Sequence, residues 1–125
     1  MRGVIFGLSE PAPRAVTFYR IVKSDPPGPD DFLSADAKGI PPPEDDPEKI
    51  RLWDGISAYA TEPQARRKAG VSWRLGSYIA VLDFPLNAPI RFERTTRSSG
   101  HYTLWGDPTD IAAYVVAIIR VDRLR

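Results

Sequence analysis

Arg20 stands inside the apolar run Phe18-Tyr19-Arg20-Ile21-Val22. A guanidinium in such a run either meets solvent on an open strand face or sits in a cleft, where it holds an anion bidentately. Ser57 and Tyr59 are two apart in Ile56-Ser57-Ala58-Tyr59-Ala60, so they share one face of any strand formed there. Beside Arg20, that pair suits a ligand with a phosphate, held by charge, and an aromatic ring, held by stacking. Equally, Tyr59 packs in the core with its hydroxyl at the surface. His101 is the only histidine and the one side chain that titrates near neutrality without help. It is a general acid or base, a hydrogen-bond donor to a ligand, or a loop histidine with neither role. Glu93 lies on the same side of its segment as Arg91, which favours a mutual salt bridge or separate solvation. In a functional role Glu93 would be a general base or would stabilise a developing cation. Arg91, Arg94 and Arg97, near Tyr102 and Trp105, form the one candidate nucleic-acid patch, with phosphate contacts beside stacking rings. Tyr102 and Trp105 with an arginine neighbour also resemble the aromatic anchors of a protein–protein contact.

Composition narrows the field. The 125 residues suit one domain, and 42% hydrophobic with 10% aromatic residues suffice for a core. Seventeen basic and 16 acidic residues leave a formal charge of +1, without the basic excess of a dedicated nucleic-acid binder. With no cysteine and one histidine, disulfide scaffolds, thiolate zinc sites, cysteine nucleophiles and multi-histidine metal sites are excluded, so no metal is expected. The apolar runs are too short for a membrane helix, and the N-terminus lacks a signal-peptide pattern. A cytoplasmic protein is the expectation. Phosphate loops, dinucleotide glycine fingerprints, zinc-protease motifs and nucleophile elbows are absent.

The elements that would position these residues follow from local patterning. Residues 1–14, with Pro11 and Pro13, read as a flexible leader, and residues 15–125 as the domain. Val16–Val22 is β-branched and aromatic, hence a strand. Asp30 is placed to cap a short helix, Asp31–Lys38, closed by Gly39 at a left-handed position. Residues 40–49, proline-rich and acidic, read as a solvated loop without helix, a tether or a lid. Ile56–Ala60 reads as a short strand. Thr61, Pro63 and Gln64 then start a helix that ends at Gly70. Ser77–Phe84 and Ile90–Thr95 read as strands, Ser98–Gly100 as a turn, and His101–Trp105 as an extended piece. Asp107-Pro108 opens a short helix before Tyr114–Val121, a long apolar strand expected at the centre of the sheet. The expected fold is α+β: a curved, largely antiparallel sheet with two or three short peripheral helices.

The run Phe18-Tyr19-Arg20, with Gly55-Ile56-Ser57-Ala58-Tyr59-Ala60-Thr61-Glu62-Pro63-Gln64-Ala65, resembles the ADP-ribosyltransferase superfamily. In that family a first strand carries an Arg or His that grips NAD. A second short strand, running into a helix, lines the nicotinamide pocket. The NAD-consuming RES-type toxins are similar from Arg51-Leu52-Trp53 through Ala65. The resemblance implies that NAD is the substrate and that Tyr19, Arg20, Ser57, Tyr59 and Trp105 bind it. Arg20 would take phosphate or ribose, and Ser57 and Tyr59 would flank the nicotinamide. The family's third element is a late glutamate that polarises the ribose. In the corresponding region, Phe92 to Trp105, Glu93 comes early and His101 has a different chemistry. Members that transfer ADP-ribose to an RNA 2′-phosphate use Arg and His instead. The implied activity is ADP-ribosyl transfer or NAD glycohydrolysis, in a bacterial toxin-like context, with His101 or Glu93 as the catalytic group. The rivals are a non-catalytic protein-interaction module and, less favoured, an RNA binder.

Overall fold

The computed structural model of the chain describes residues 16–95 and 100–122. Six strands form one sheet: β1 (Val16–Val22), β2 (Ile56–Tyr59), β3 (Tyr78–Phe84), β4 (Arg91–Arg94), β5 (His101–Trp105) and β6 (Val115–Arg120). Their spatial order is β4-β5-β2-β1-β3-β6, and every neighbouring pair is antiparallel. Three helices, α1 (Pro47–Trp53), α2 (Glu62–Val71) and α3 (Pro108–Ala112), complete an α+β fold. No helix among the described residues is long and apolar enough to cross a membrane. The leader expected at residues 1–14 and the turn at Ser98 and Ser99 lie outside the described residues.

Strand periodicity supplies two cores, one on each side of the sheet. Phe18, Val22, Ile56, Ala58, Ala80, Leu82, Phe84 and Leu104 pack on one side with Phe32 and Ile111. Ile21, Tyr59 and Ile79 pack on the other, under Ala65 and Ala69 of α2. Removing these apolar faces from water is the main force holding the sheet to its covering elements.

Several sequence expectations need correction. The helix expected at Asp31–Lys38 is instead a single 3-10 turn, Pro29–Phe32, followed by separate turns. Its cause is Asp31, whose carboxylate accepts from the backbone N–H groups of Lys23 (2.9 Å) and Gly28 (2.8 Å) and so binds the turn to the end of β1. Gly39 does adopt a positive φ of 80°. The loop expected over residues 40–49 stops at Asp46, whose side chain caps Glu48 N–H and opens α1 with Pro47 in the first turn. Helix α2 starts at the expected Thr61 cap but runs one residue past Gly70 to Val71. The apolar strand expected at the centre, β6, lies at the sheet edge. Val116 there is 62% exposed, so an apolar run did not imply cover on both faces.

The sheet is uneven at its middle. Strand β1 pairs with β3 along its whole length but with β2 only through Tyr19 and Tyr59. Beside this interrupted ladder, the turn Trp73–Leu75 closes against β1 through Gly76, which has φ of 141°. A Cβ at Gly76 would overlap the Val22 carbonyl oxygen, so only glycine permits that approach.

Candidate functional site

Where the β1–β2 ladder is missing, a cavity of about 620 Å³ opens, lined by Arg20, Ser57, Tyr59 and His101 among others. Its size suits a small-molecule site. Arg20 reaches across the interruption. Its Nε donates to the Asp31 carbonyl and its Nη1 to the Ser57 carbonyl, both at 2.7 Å. The second bond satisfies a β2 acceptor that the interrupted ladder leaves open. Both partners are neutral carbonyls, so the guanidinium is held in place without an ion pair. Nη2 keeps its donors without a protein partner among the described residues. Loss of hydration lowers the Arg20 pKa to about 10, and the Asp31 charge acts in the opposite direction. At neutral pH the group is therefore a fixed, protonated cation.

Ser57 is exposed and Tyr59 buried, both on the cavity wall. The Tyr59 ring meets His101 edge-on, with centroids 5.4 Å apart. Burial raises the Tyr59 phenol above its usual pKa, which keeps it a neutral donor. On His101, burial and then the nearby Lys68 charge lower the pKa below 6.5, so the imidazole is neutral at pH 7. Its Nδ1 lies 2.8 Å from Thr95 Oγ1, which is 3.0 Å from Thr103 Oγ1. Nε2 is the ring nitrogen left for the cavity.

The remaining wall was not read from the sequence. Lys23, Lys38, Lys68 and Arg74 bring four more cations, and Asp30 and Asp31 bring carboxylates. These residues come from separate segments, which no local motif could join. One signal was available for Lys68. In α2, Arg66 pairs with Glu62 at 2.7 Å, whereas Lys68 has no acidic residue three or four positions away.

Other expected site residues lie elsewhere. Tyr19 packs with Ile21 and Tyr59 but is not among the residues lining the cavity. Glu93, on the edge strand β4, is held by Arg51 at 2.8 and 3.2 Å instead of by Arg91. Trp105 is only 9% exposed, with Nε1 donating to the Arg51 carbonyl at 3.1 Å. The Arg51 and Arg91 guanidiniums lie over its ring, 5.1 and 4.9 Å from the centroid. Tyr102 packs against Phe18 and Phe92. The aromatic anchors expected for a protein partner are thus largely covered by their own chain. Of the arginine patch, Arg91 is stacked on Trp105 and Arg97 lies outside the described residues. Among the described residues, no group of acidic, histidine or cysteine side chains is arranged to hold a metal. No protein-family model, curated protein or solved structure matches the chain.

Proposed function

We propose that the cavity binds NAD and that the protein is ADP-ribosyltransferase-like. The observation that carries this reading is the convergence of Arg20, Ser57, Tyr59 and His101 on one cavity from three strands. Arg20 presents its uncommitted Nη2 donors to a phosphate or ribose oxygen, with cations around it. Tyr59 and Ser57 offer a ring edge and a hydroxyl to the nicotinamide end. Bound NAD would supply an ADP-ribosyl group by releasing nicotinamide through an oxocarbenium-like transition state. The acceptor then decides between transfer and, with water, glycohydrolysis. His101, neutral at pH 7, accepts the acceptor's proton at Nε2, while Thr95 holds Nδ1. Glu93 has no access to this role in the conformation described, because its carboxylate is engaged by Arg51 outside the cavity.

Isothermal titration with NAD, coupled to a nicotinamide-release assay, tests the reading. Wild-type protein should bind, and Arg20→Ala should weaken binding about tenfold or more, as expected for losing a charge-assisted hydrogen bond. His101→Ala should keep most of the affinity while nicotinamide release falls about a hundredfold, the usual loss for a general base. Absence of binding at millimolar NAD would end this reading.

A further inference from the structure

The charge on the cavity wall exceeds what a pyrophosphate needs. Arg20, Lys23, Lys38, Lys68 and Arg74 face two carboxylates, Asp30 and Asp31, a surplus of three in a chain whose total is +1. The Asp31 carboxylate already accepts two backbone N–H bonds and is committed to the fold. Elsewhere several surface cations are matched: Lys49 with Glu44, Arg51 with Glu48 and Glu93, and Arg66 with Glu62. Lys23, Lys38, Lys68 and Arg74 have no ion pair among the described residues, and all four are exposed. Concentrating unpaired cations around one concave space raises their mutual repulsion. That cost is relieved when an anion enters.

We infer that the cavity holds a phosphate beyond the dinucleotide pyrophosphate, with the 2′-phosphate of NADP as its source. This rests on the reading that the cavity takes a nicotinamide dinucleotide. The pyrophosphate of NAD is dianionic and its nicotinamide ring cationic, so bound NAD leaves most of the surplus uncompensated. The extra phosphate of NADP is itself close to dianionic near neutral pH. Lys68 and Arg74 are the cations that would take it. They come from α2 and the turn after it, separate elements from the β1 strand that carries Arg20. Both are exposed, so replacing them leaves the two cores untouched.

The experiment is calorimetric titration at fixed ionic strength with NAD, with NADP, and with NAD in the presence of inorganic phosphate. NADP should bind about tenfold more tightly than NAD, the equivalent of one charge-assisted hydrogen bond. Lys68→Ala and Arg74→Ala should remove that preference and change NAD affinity much less. If NADP is not preferred but inorganic phosphate tightens NAD binding, the phosphate site stands and its occupant is a separate molecule. Equal affinities for NAD and NADP, indifferent to phosphate, overturn the inference and leave the NAD reading intact. A preference for NADP that survives both substitutions overturns the assignment to these cations. Failure of both dinucleotides to bind overturns the inference and the parent reading together.

Discussion

Two regions of this sheet are built from the same residue types and do opposite things with them. At the β4–β5 edge, arginine meets aromatic and carboxylate and every contact closes. Arg51 binds Glu48 and Glu93, its carbonyl oxygen accepts from Trp105 Nε1, and its guanidinium shares the Trp105 ring with Arg91. Hydrogen bonds donated to Glu48 and Glu93 raise the Arg51 pKa. At the β1–β2 interruption, Arg20 shares a cavity with Tyr59 and His101, and among the described residues its hydrogen-bond partners are carbonyls. Burial lowers the Arg20 pKa toward 10. The two arginines thus differ in their partners: Arg51 is ion-paired with its glutamates, whereas Arg20 is desolvated and hydrogen-bonded to carbonyls, with the Asp31 charge only partly offsetting its burial. The first arrangement joins strands. The second is ready to receive an anion from outside.

Removing Arg20 should have the largest effect. Arg20→Ala leaves the Asp31 and Ser57 carbonyls without their donor, and losing such bonds costs about 1–3 kcal/mol. Urea denaturation should show a lower midpoint. Arg20→Lys should recover part of the NAD affinity through its charge, but it cannot reach both carbonyls with a planar fork. Wild-type NAD affinity in Arg20→Ala would break the contrast, because Arg20 would then be a strand tie like Arg51.

The opposite region supplies the second test. Arg51→Ala should lower the thermal midpoint, since it opens the contacts joining α1 to β4 and β5. Glu93→Gln should do so by less, keeping the shape and losing the charge. Neither should move the NAD dissociation constant by more than about twofold, the scale expected for distant exposed charges screened by salt. A tenfold loss of NAD affinity in Glu93→Gln would bring that carboxylate into the site and erase the distinction.

The parts legible in the sequence were those set by local physics. β-Branched and aromatic runs bounded by proline or glycine marked β1 and β3, and period two placed Ser57 and Tyr59 on a common face. Thr61 and Asp107 were readable as caps because a side-chain oxygen beside a proline-initiated turn satisfies free N–H groups. What stayed hidden was non-local. Asp31 gave up a helix to bind the end of β1, and α3 carries the chain to the outer side of β3, so the apolar β6 became an edge. Glu93 found Arg51, 42 residues away, instead of Arg91 two positions off. Lys23, Lys38, Lys68 and Arg74 meet only through tertiary folding, and nothing in their spacing announces a common wall.

The smallest effect probes the electrostatics of the open region directly. Lys68 helps keep His101 neutral, so Lys68→Ala should raise the His101 pKa toward 6.5. The titration of the His101 ring protons by NMR reads this without any ligand. Because the folded-state pKa is depressed, the unfolded chain binds the proton more tightly. The stabilisation from neutral His101 is therefore present above pH 6.5 and is lost as pH falls from there through the folded-state value. Lys68→Ala should shrink that acid sensitivity, while Arg51→Ala, on the closed side of the sheet, should leave it as it is. A His101 titration that ignores Lys68 but follows Arg51 would mean that the cavity cations do not act on one another. The open region would then be, electrostatically, another version of the closed one.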